Sequence, residues 1–321
     1  MSKDGKKLVV VDAGARFGPH PSWKDLYNSG LALIHGFEPE IDEYNWLSTQ
    51  YKDQDNYKIN PYALGKDSNN LKLNIHKHKG QSSFFSPNLQ SDWFREVRKK
   101  DAEQVSTQSD VQIITAEEYI NNLALENNLI PRFIKSDTEG FDLYVIEGFG
   151  KYLESIHAIR TEINFQPIYI DSPKLQDLLD FLCLKDFRLA NLDYKGSGIQ
   201  QSYFVPHHRE YGILAGTEAV FIRSHEYYLS LQDEDLCQVI AFFLCNKLED
   251  YAISLLSSRE TSLLSVKDTK LWDFIERKFL IATKKFEVYS TVLFEKGVND
   301  FERFFFKPYP EMHKFYRYIN S

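Results

Sequence analysis

Two carboxylates and a glycine stand together in Ile134-Lys135-Ser136-Asp137-Thr138-Glu139-Gly140, where a short apolar run gives way to a helical pattern. In an open α/β sheet the carboxyl ends of strands are where ligands bind. Carboxylates placed there can take up a proton or favour a cationic group. Two upstream segments have the same build. Val9-Val10-Val11-Asp12-Ala13-Gly14-Ala15-Arg16-Phe17-Gly18 and Gly36-Phe37-Glu38-Pro39 each carry an apolar strand into an acidic residue beside Gly or Pro. Three such strand ends in one sheet describe a nucleotide-type pocket.

Gly14 and Gly18 let the backbone turn tightly and approach a ligand closely. The segment fails as a dinucleotide fingerprint, because counting G-x-G-x-x-G from Gly14 puts Arg16 and Pro19 at the second and third glycine positions. An acid followed by a wider glycine turn suits a ligand carrying an ammonium or a sulfonium. Glu38 follows Gly14 at the spacing from which an acidic side chain binds both hydroxyls of a ribose. Pro39 is expected to stop the strand and open the next helix in its first turn. Lys135 and Asp137 share a strand face, so they pair and Asp137 stays ionised. His76 and His78, also two apart, are alternate bases, though a solvated strand face is the plainer reading. Asp137, Glu139 and Glu162 fall at neighbouring strand ends and offer oxygen ligands of the kind Mg²⁺, Ca²⁺ or Mn²⁺ prefers. Hydrogen bonds to bound molecules explain the same carboxylates, and that reading is preferred here over a metal.

To position these groups, residues 8 to about 224 alternate aliphatic runs with amphipathic segments, the mark of a parallel sheet covered by helices. Strands are expected near 8–12, 33–37, 57–63, 132–137, 157–163, 187–193 and 213–223, the last of them antiparallel. An insertion at 65–110 carries Leu71–His76 as a short strand and Gly80–Pro87 as a loop, and loops of that length are usually functional. From about 225 the pattern is helical only. Leu236, Val239, Ile240, Phe243, Leu244, Leu248, Tyr251 and Leu255 form one apolar stripe, and Ile275, Phe279, Ala282, Phe286, Tyr289 and Leu293 a second. Two long helices follow from that. The aromatic run Phe301–Tyr309 is expected to pack against them.

The chain has 321 residues, 43% of them hydrophobic and 26% charged, and a formal charge of -8. That composition is globular, and the acidic balance argues against a general nucleic-acid binder. Cys183, Cys237 and Cys245 show neither metal-like nor disulfide-like spacing and read as buried thiols of a cytoplasmic protein. The polar start Met1–Lys7 and the short apolar run after it match neither a signal peptide nor a membrane span.

In order along the chain, Val11–Gly18, His35–Pro39, Ala63-Leu64-Gly65, Gly80-Gln81-Ser82-Ser83, Phe133–Gly140 with Gly148, and Glu162-Ile163-Asn164-Phe165 with Tyr169 resemble the motifs of the FkbM family of S-adenosylmethionine-dependent methyltransferases. The resemblance spans about residues 8 to 224. The family pattern is close to V-D-V-G-A-N-x-G and I-K-I-D-V-E-G. Arg16 here replaces the Asn, and Ser136 and Thr138 replace apolar residues. The resemblance implies a Rossmann-like α/β domain with a mostly parallel seven-stranded sheet over residues 1–224, followed by a helical module at 225–321. It implies that Asp12, Gly14 and Gly18 shape the methionine end of the S-adenosylmethionine pocket and that Glu38, with Pro39 after it, holds the ribose. The adenine would lie near Asn60 to Ala63. Arg16 stands near the cofactor or reaches an acidic group of the substrate. Asp137 and Glu139 would face the sulfonium and the incoming acceptor, with Asp137 the first choice of base, then Glu139, then His76. Ser82, Ser83, Glu162, Asn164 and Tyr169 would line the acceptor pocket. The implied reaction is methyl transfer to a hydroxyl of a sugar, glycan precursor or related metabolite. An N- or carboxyl-methyltransferase and a non-catalytic scaffold remain the alternatives, and an NAD enzyme is disfavoured by Arg16 and Pro19. The C-terminal helices offer a surface for a second copy of the chain.

Overall fold

The computed structural model describes residues 7–77, 79–91, 105–127, 129–193, 200–201, 213–214, 216–259, 266 and 269–295. The chain divides into two compact units, Lys7–Ser224 and a second that begins at His225.

The first unit is built on seven strands: β1 Leu8–Ala13, β2 Ala32–Phe37, β3 Tyr57–Asn60, β4 Phe133–Ser136, β5 Ala158–Asn164, β6 Arg188–Leu192 and β7 Gly216–Ile222. All six residues of β1, Leu-Val-Val-Val-Asp-Ala, are buried. A continuous run of this kind fits only a strand covered on both faces, and β1 pairs in parallel with β2 on one side and β4 on the other. The strand order is β3-β2-β1-β4-β5-β7-β6. The order reverses between β1 and β4, which opens a crevice at their carboxyl ends. β7 runs antiparallel to β5 and β6, with a register shift between Val220 and Phe221. Helices α1 Pro21–Asn28, α2 Ile41–Gln50, α3 Ala116–Asn127, α4 Asp142–Glu147 and α5 Leu175–Leu184 connect the strands. Val11, Phe37, Ile134, Phe149, Ile159 and Phe221 are fully buried in the core between the layers.

Three expectations need correction. The strand expected at 57–63 breaks after Asn60, since Pro61 has no N–H to donate to a ladder, and Ala63–Leu64 pairs instead with Ile113–Ile114. Helix α2 begins at Ile41 with Glu40 before it, so Pro39 lies outside the first turn; the Glu40 N–H is taken by Glu38 Oε1 at 2.9 Å. Cys183 is exposed, because α5 buries Leu178 and Leu182 and the next residue points away. The insertion holds a longer strand pair than expected: Asn69–His76 runs antiparallel to Val105–Ile114. His78 and the run 301–309 lie outside the described residues.

In the second unit α6 His225–Leu229, α7 Asp233–Cys245, α8 Glu249–Arg259 and α9 Lys270–Glu295 follow one another. The first apolar stripe is split between α7 and α8, because the chain turns at Lys247, whose φ is +60°. Ile275, Phe279 and Ala282 of α9 are buried as expected; the side chains of Phe286, Tyr289 and Leu293 lie outside the described set. Among the described residues no helix is long and apolar enough to cross a membrane.

Candidate active site

The crevice at the β1–β4 switch opens into a cavity of about 430 Å³. Its floor depends on Gly14, at φ +74°, where a Cβ would meet Asp137 O at 2.0 Å. Only glycine lets the two strand-end loops approach this closely. The Asp137 N–H then reaches Ala13 O at 3.1 Å and ties the loops together.

Beneath the floor, Lys135 Nζ lies 3.2 Å from Asp12 Oδ1 and 3.6 Å from Asp137 Oδ2, and donates to Gly14 O at 2.9 Å. Burial works against its charge, but Asp12 and then Asp137 outweigh burial and hold the lysine pKa above its usual value. Asp12 is fully buried, and burial raises its pKa although Lys135 opposes the rise. The ammonium is what makes that carboxylate tolerable in the core.

At the end of β4 the backbone takes two left-handed steps, Glu139 at φ +53° and Gly140 at φ +91°. A non-glycine residue in that region costs energy and is kept only where its surroundings fix it. Two contacts fix Glu139: the Ser83 hydroxyl donates to its carbonyl at 2.7 Å, and the Tyr169 hydroxyl donates to Oε2 at 2.5 Å. Burial, then Glu139 and Glu162, raise the Tyr169 pKa well above the usual phenol value. Ser136 finds its explanation in Asp142, the first residue of α4, which accepts from Ser136 Oγ at 2.6 Å and from the Thr138 backbone N–H at 3.2 Å, while Thr138 Oγ1 lies 3.4 Å from Ser136 Oγ. Burial pushes Asp142 up to about 6 against those bonds. The polar pair thus seats α4 directly behind the carboxylates.

At the end of β2, Arg16 Nε lies 3.5 Å from Glu38 Oε2 and its NH2 group 3.1 Å from Glu40 Oε2. Lys79 Nζ adds a third contact, to Glu40 at 3.3 Å. Burial raises the Glu38 pKa and Arg16 works to lower it. Arg16 is therefore committed to the two glutamates that flank Pro39.

Gly14, Arg16, Gly18, Glu38, Pro39 and Ala63 line the cavity, as do Ser82, Asp137 and Glu139. Asp12 sits below the lining. Asn60 lines a neighbouring cavity, held by bonds from its Nδ2 to Gly36 O and Tyr119 Oη at 3.0 and 3.3 Å. Ser83 is buried against Glu139, and Tyr169 behind Gly140. Glu162 stands beside Asp137 and Glu139. His76 is away from the lining, buried at a register shift of the insertion ladder, and burial lowers its pKa. Sequence reasoning missed His20, Lys79, Phe84 and Phe141 in the lining. Phe84 and Phe141 pack with ring centroids 4.8 Å apart. His20 caps α1 and places Nε2 3.1 Å from Glu218 Oε1. Burial opposes ionisation of Glu218, but His20 and Arg160 hold it down to about 2. A histidine before Pro21 at a helix start was the available signal for His20.

Residues 12–189, more than half of the chain, match the methyltransferase FkbM domain. The chain belongs to that family. No curated protein matches it. Among solved structures, this FkbM methyltransferase is similar to magnesium protoporphyrin IX methyltransferase from Synechocystis PCC 6803 with bound SAM, at 11% identity and TM-score 0.32 over 70% of this chain and 72% of that one. It is also similar to precorrin-6y C5,15-methyltransferase from Geobacter metallireducens GS-15, at 12% identity and TM-score 0.31 over 68% and 82%. Likeness of that degree fixes no substrate.

Proposed function

We propose that this FkbM methyltransferase is an O-methyltransferase that uses S-adenosylmethionine and acts on a hydroxyl of a sugar, glycan precursor or related metabolite. The observation that carries the reading is that the glycine turn, the ribose-type acid Glu38 and the carboxylates Asp137 and Glu139 all open onto one cavity. The residues fit the cofactor: backbone approach is kept open by Gly14, and the carboxylates favour a fixed cation. When bound, the cofactor supplies a methyl group activated on sulfonium.

Asp137 would take the proton of the acceptor hydroxyl as that oxygen receives the methyl group, which the cofactor would supply before leaving as the neutral thioether. Lys135 Nζ, 3.6 Å from Asp137 Oδ2, holds that carboxylate in place for the task. Glu139, fixed through Ser83 and Tyr169, orients the acceptor. Orientation of two reactants contributes up to about 7–11 kcal/mol, and a positioned base adds roughly 10²–10⁴-fold. Phe84 and Phe141 exclude water from one wall. The whole unit Lys7–Ser224 acts as the catalytic domain, and the module from His225 onward serves acceptor use or self-association.

The test is a calorimetric titration with S-adenosylmethionine, S-adenosylhomocysteine and NAD, followed by methyl transfer to a panel of nucleotide sugars and glycans. One-site binding of the first two, no binding of NAD and methylation of a hydroxyl are expected. Absence of binding, or turnover only on amine or carboxyl acceptors, sinks this reading.

A further inference from the structure

The carboxyl ends of β4 and β5 bring three carboxylates together. Asp137, Glu139 and Glu162 each bring one carboxylate oxygen into a group whose atoms all lie within 4.8 Å of one another. Carboxylates at that spacing repel unless positive charge stands among them. Lys135 is shared between Asp137 and Asp12, and Tyr169 offers Glu139 a neutral hydroxyl. Arg160, on the same strand as Glu162, is spent on Glu218 and Asp193.

The second observation concerns β5 itself. Glu162 Oε2 is sealed from solvent and has no hydrogen-bond partner, and the same holds for Asn164 Oδ1. The two residues are separated by one position, so their side chains leave the strand on the same face. Among the described residues Glu162 forms no ion pair. Buried oxygens without a donor are rare in folded proteins, and one that belongs to a group of three carboxylates calls for an electropositive partner.

We propose that Asp137, Glu139 and Glu162 form a binding site for a hard divalent cation of the Mg²⁺ or Mn²⁺ type. Every donor is an oxygen, and the group contains neither Cys nor His, which is the ligand chemistry of these ions and not of Zn²⁺ or copper. Three carboxylates against one divalent ion leave a net negative centre, and Lys135 offsets part of it through Asp137. The sequence alone favoured hydrogen bonding to cofactor and substrate for the same carboxylates; the unpartnered oxygen of Glu162 shifts the balance. Because Asp137 and Glu139 also line the cavity, the ion stands where an acceptor's oxygens arrive and can hold them. That last step rests on the methyl-transfer reading, whereas the site itself does not.

The experiment titrates chelator-treated full-length protein with Mn²⁺, reading the bound ion by electron paramagnetic resonance and by calorimetry, with Mg²⁺ as competitor. One saturable site, displaced by Mg²⁺ and weakened about tenfold or more by Glu162→Gln and by Glu139→Gln, is the expected result. Thermal melting of the metal-free proteins controls for folding: Glu162→Gln keeps the shape of the side chain without its carboxyl and should melt no lower than the parent. No saturable binding, or binding that both variants leave intact, overturns the site. S-adenosylhomocysteine binding is measured on the same samples. Cofactor binding without Mn²⁺ binding sinks the cation site alone, and Mn²⁺ binding without cofactor binding supports the site while sinking the methyl-transfer reading.

Discussion

Lys135 holds two carboxylates at once, and they differ in what they can spare. Asp12 has no exposure and depends on the ammonium, whereas Asp137 opens onto the cavity. Lys135→Met should therefore cost about 3–5 kcal/mol by stranding Asp12, read as a fall in the urea midpoint, and the pair Asp12→Asn with Lys135→Met should recover much of it. Asp137→Asn should act differently, leaving cofactor affinity and stability near the parent values while slowing methyl transfer by roughly 10²–10⁴-fold. Full activity in that variant would remove Asp137 as the base. The Lys135–Asp137 pair was legible in the sequence, since alternate strand residues share a face. The deeper Asp12 contact was not, because Asp12 and Lys135 are neighbours only through the β1–β4 register. Arg16 was likewise legible as a cation near the pocket, but its partners Glu38 and Glu40 follow from how the β2 loop folds back.

Strands buried on both faces announce themselves, as β1 does with three consecutive valines, and their ends frame the candidate cavity. The insertion strand Val105–Ile114, sequence VSTQSDVQII, was hidden because its first half is polar and it pairs with another half-exposed strand. The split between α7 and α8 was hidden too, since a left-handed Lys247 leaves the apolar spacing on either side intact. Where an element ends tightly, a single methyl is decisive. Gly14→Ala combines a left-handed backbone, worth about 1–2 kcal/mol by itself, with a Cβ inside the van der Waals shell of Asp137 O. It should lower the melting temperature and abolish detectable S-adenosylhomocysteine binding, because the β1 and β4 loops must separate to admit it. Binding at the parent affinity would show that the loops are held less tightly than their geometry says.

Two histidines couple the whole sheet to pH. His35 of β2 and His157 just before β5 are buried, and burial lowers them to about 4 and about 3, with Lys58 aiding the first and Arg132 the second. Folded-state values below the free value mean that the unfolded chain binds protons first as pH falls. Their stability contribution is complete above about 6.5 and is lost as pH drops toward 4, on the order of 3 kcal/mol for His35 over that window. Urea midpoints should therefore fall steeply between pH 6.5 and 4.5, and His35→Gln should flatten the slope; an unchanged slope would place the acid sensitivity elsewhere. The division into two units sets the last expectation. Among the described residues, those lining the cavity all lie between Ala13 and Phe141, and the sheet that positions them closes within Lys7–Ser224. The second unit has its own buried set, Leu236, Ile240, Phe243, Ile253 and Phe279 among them. A chain ending at Ser224 should therefore melt cooperatively and keep S-adenosylhomocysteine binding, while losing acceptor turnover or self-association measured by light scattering. Loss of cofactor binding in a folded truncation would mean that the helical unit completes the pocket. Unchanged turnover together with an unchanged oligomeric state would leave that unit without a part in either.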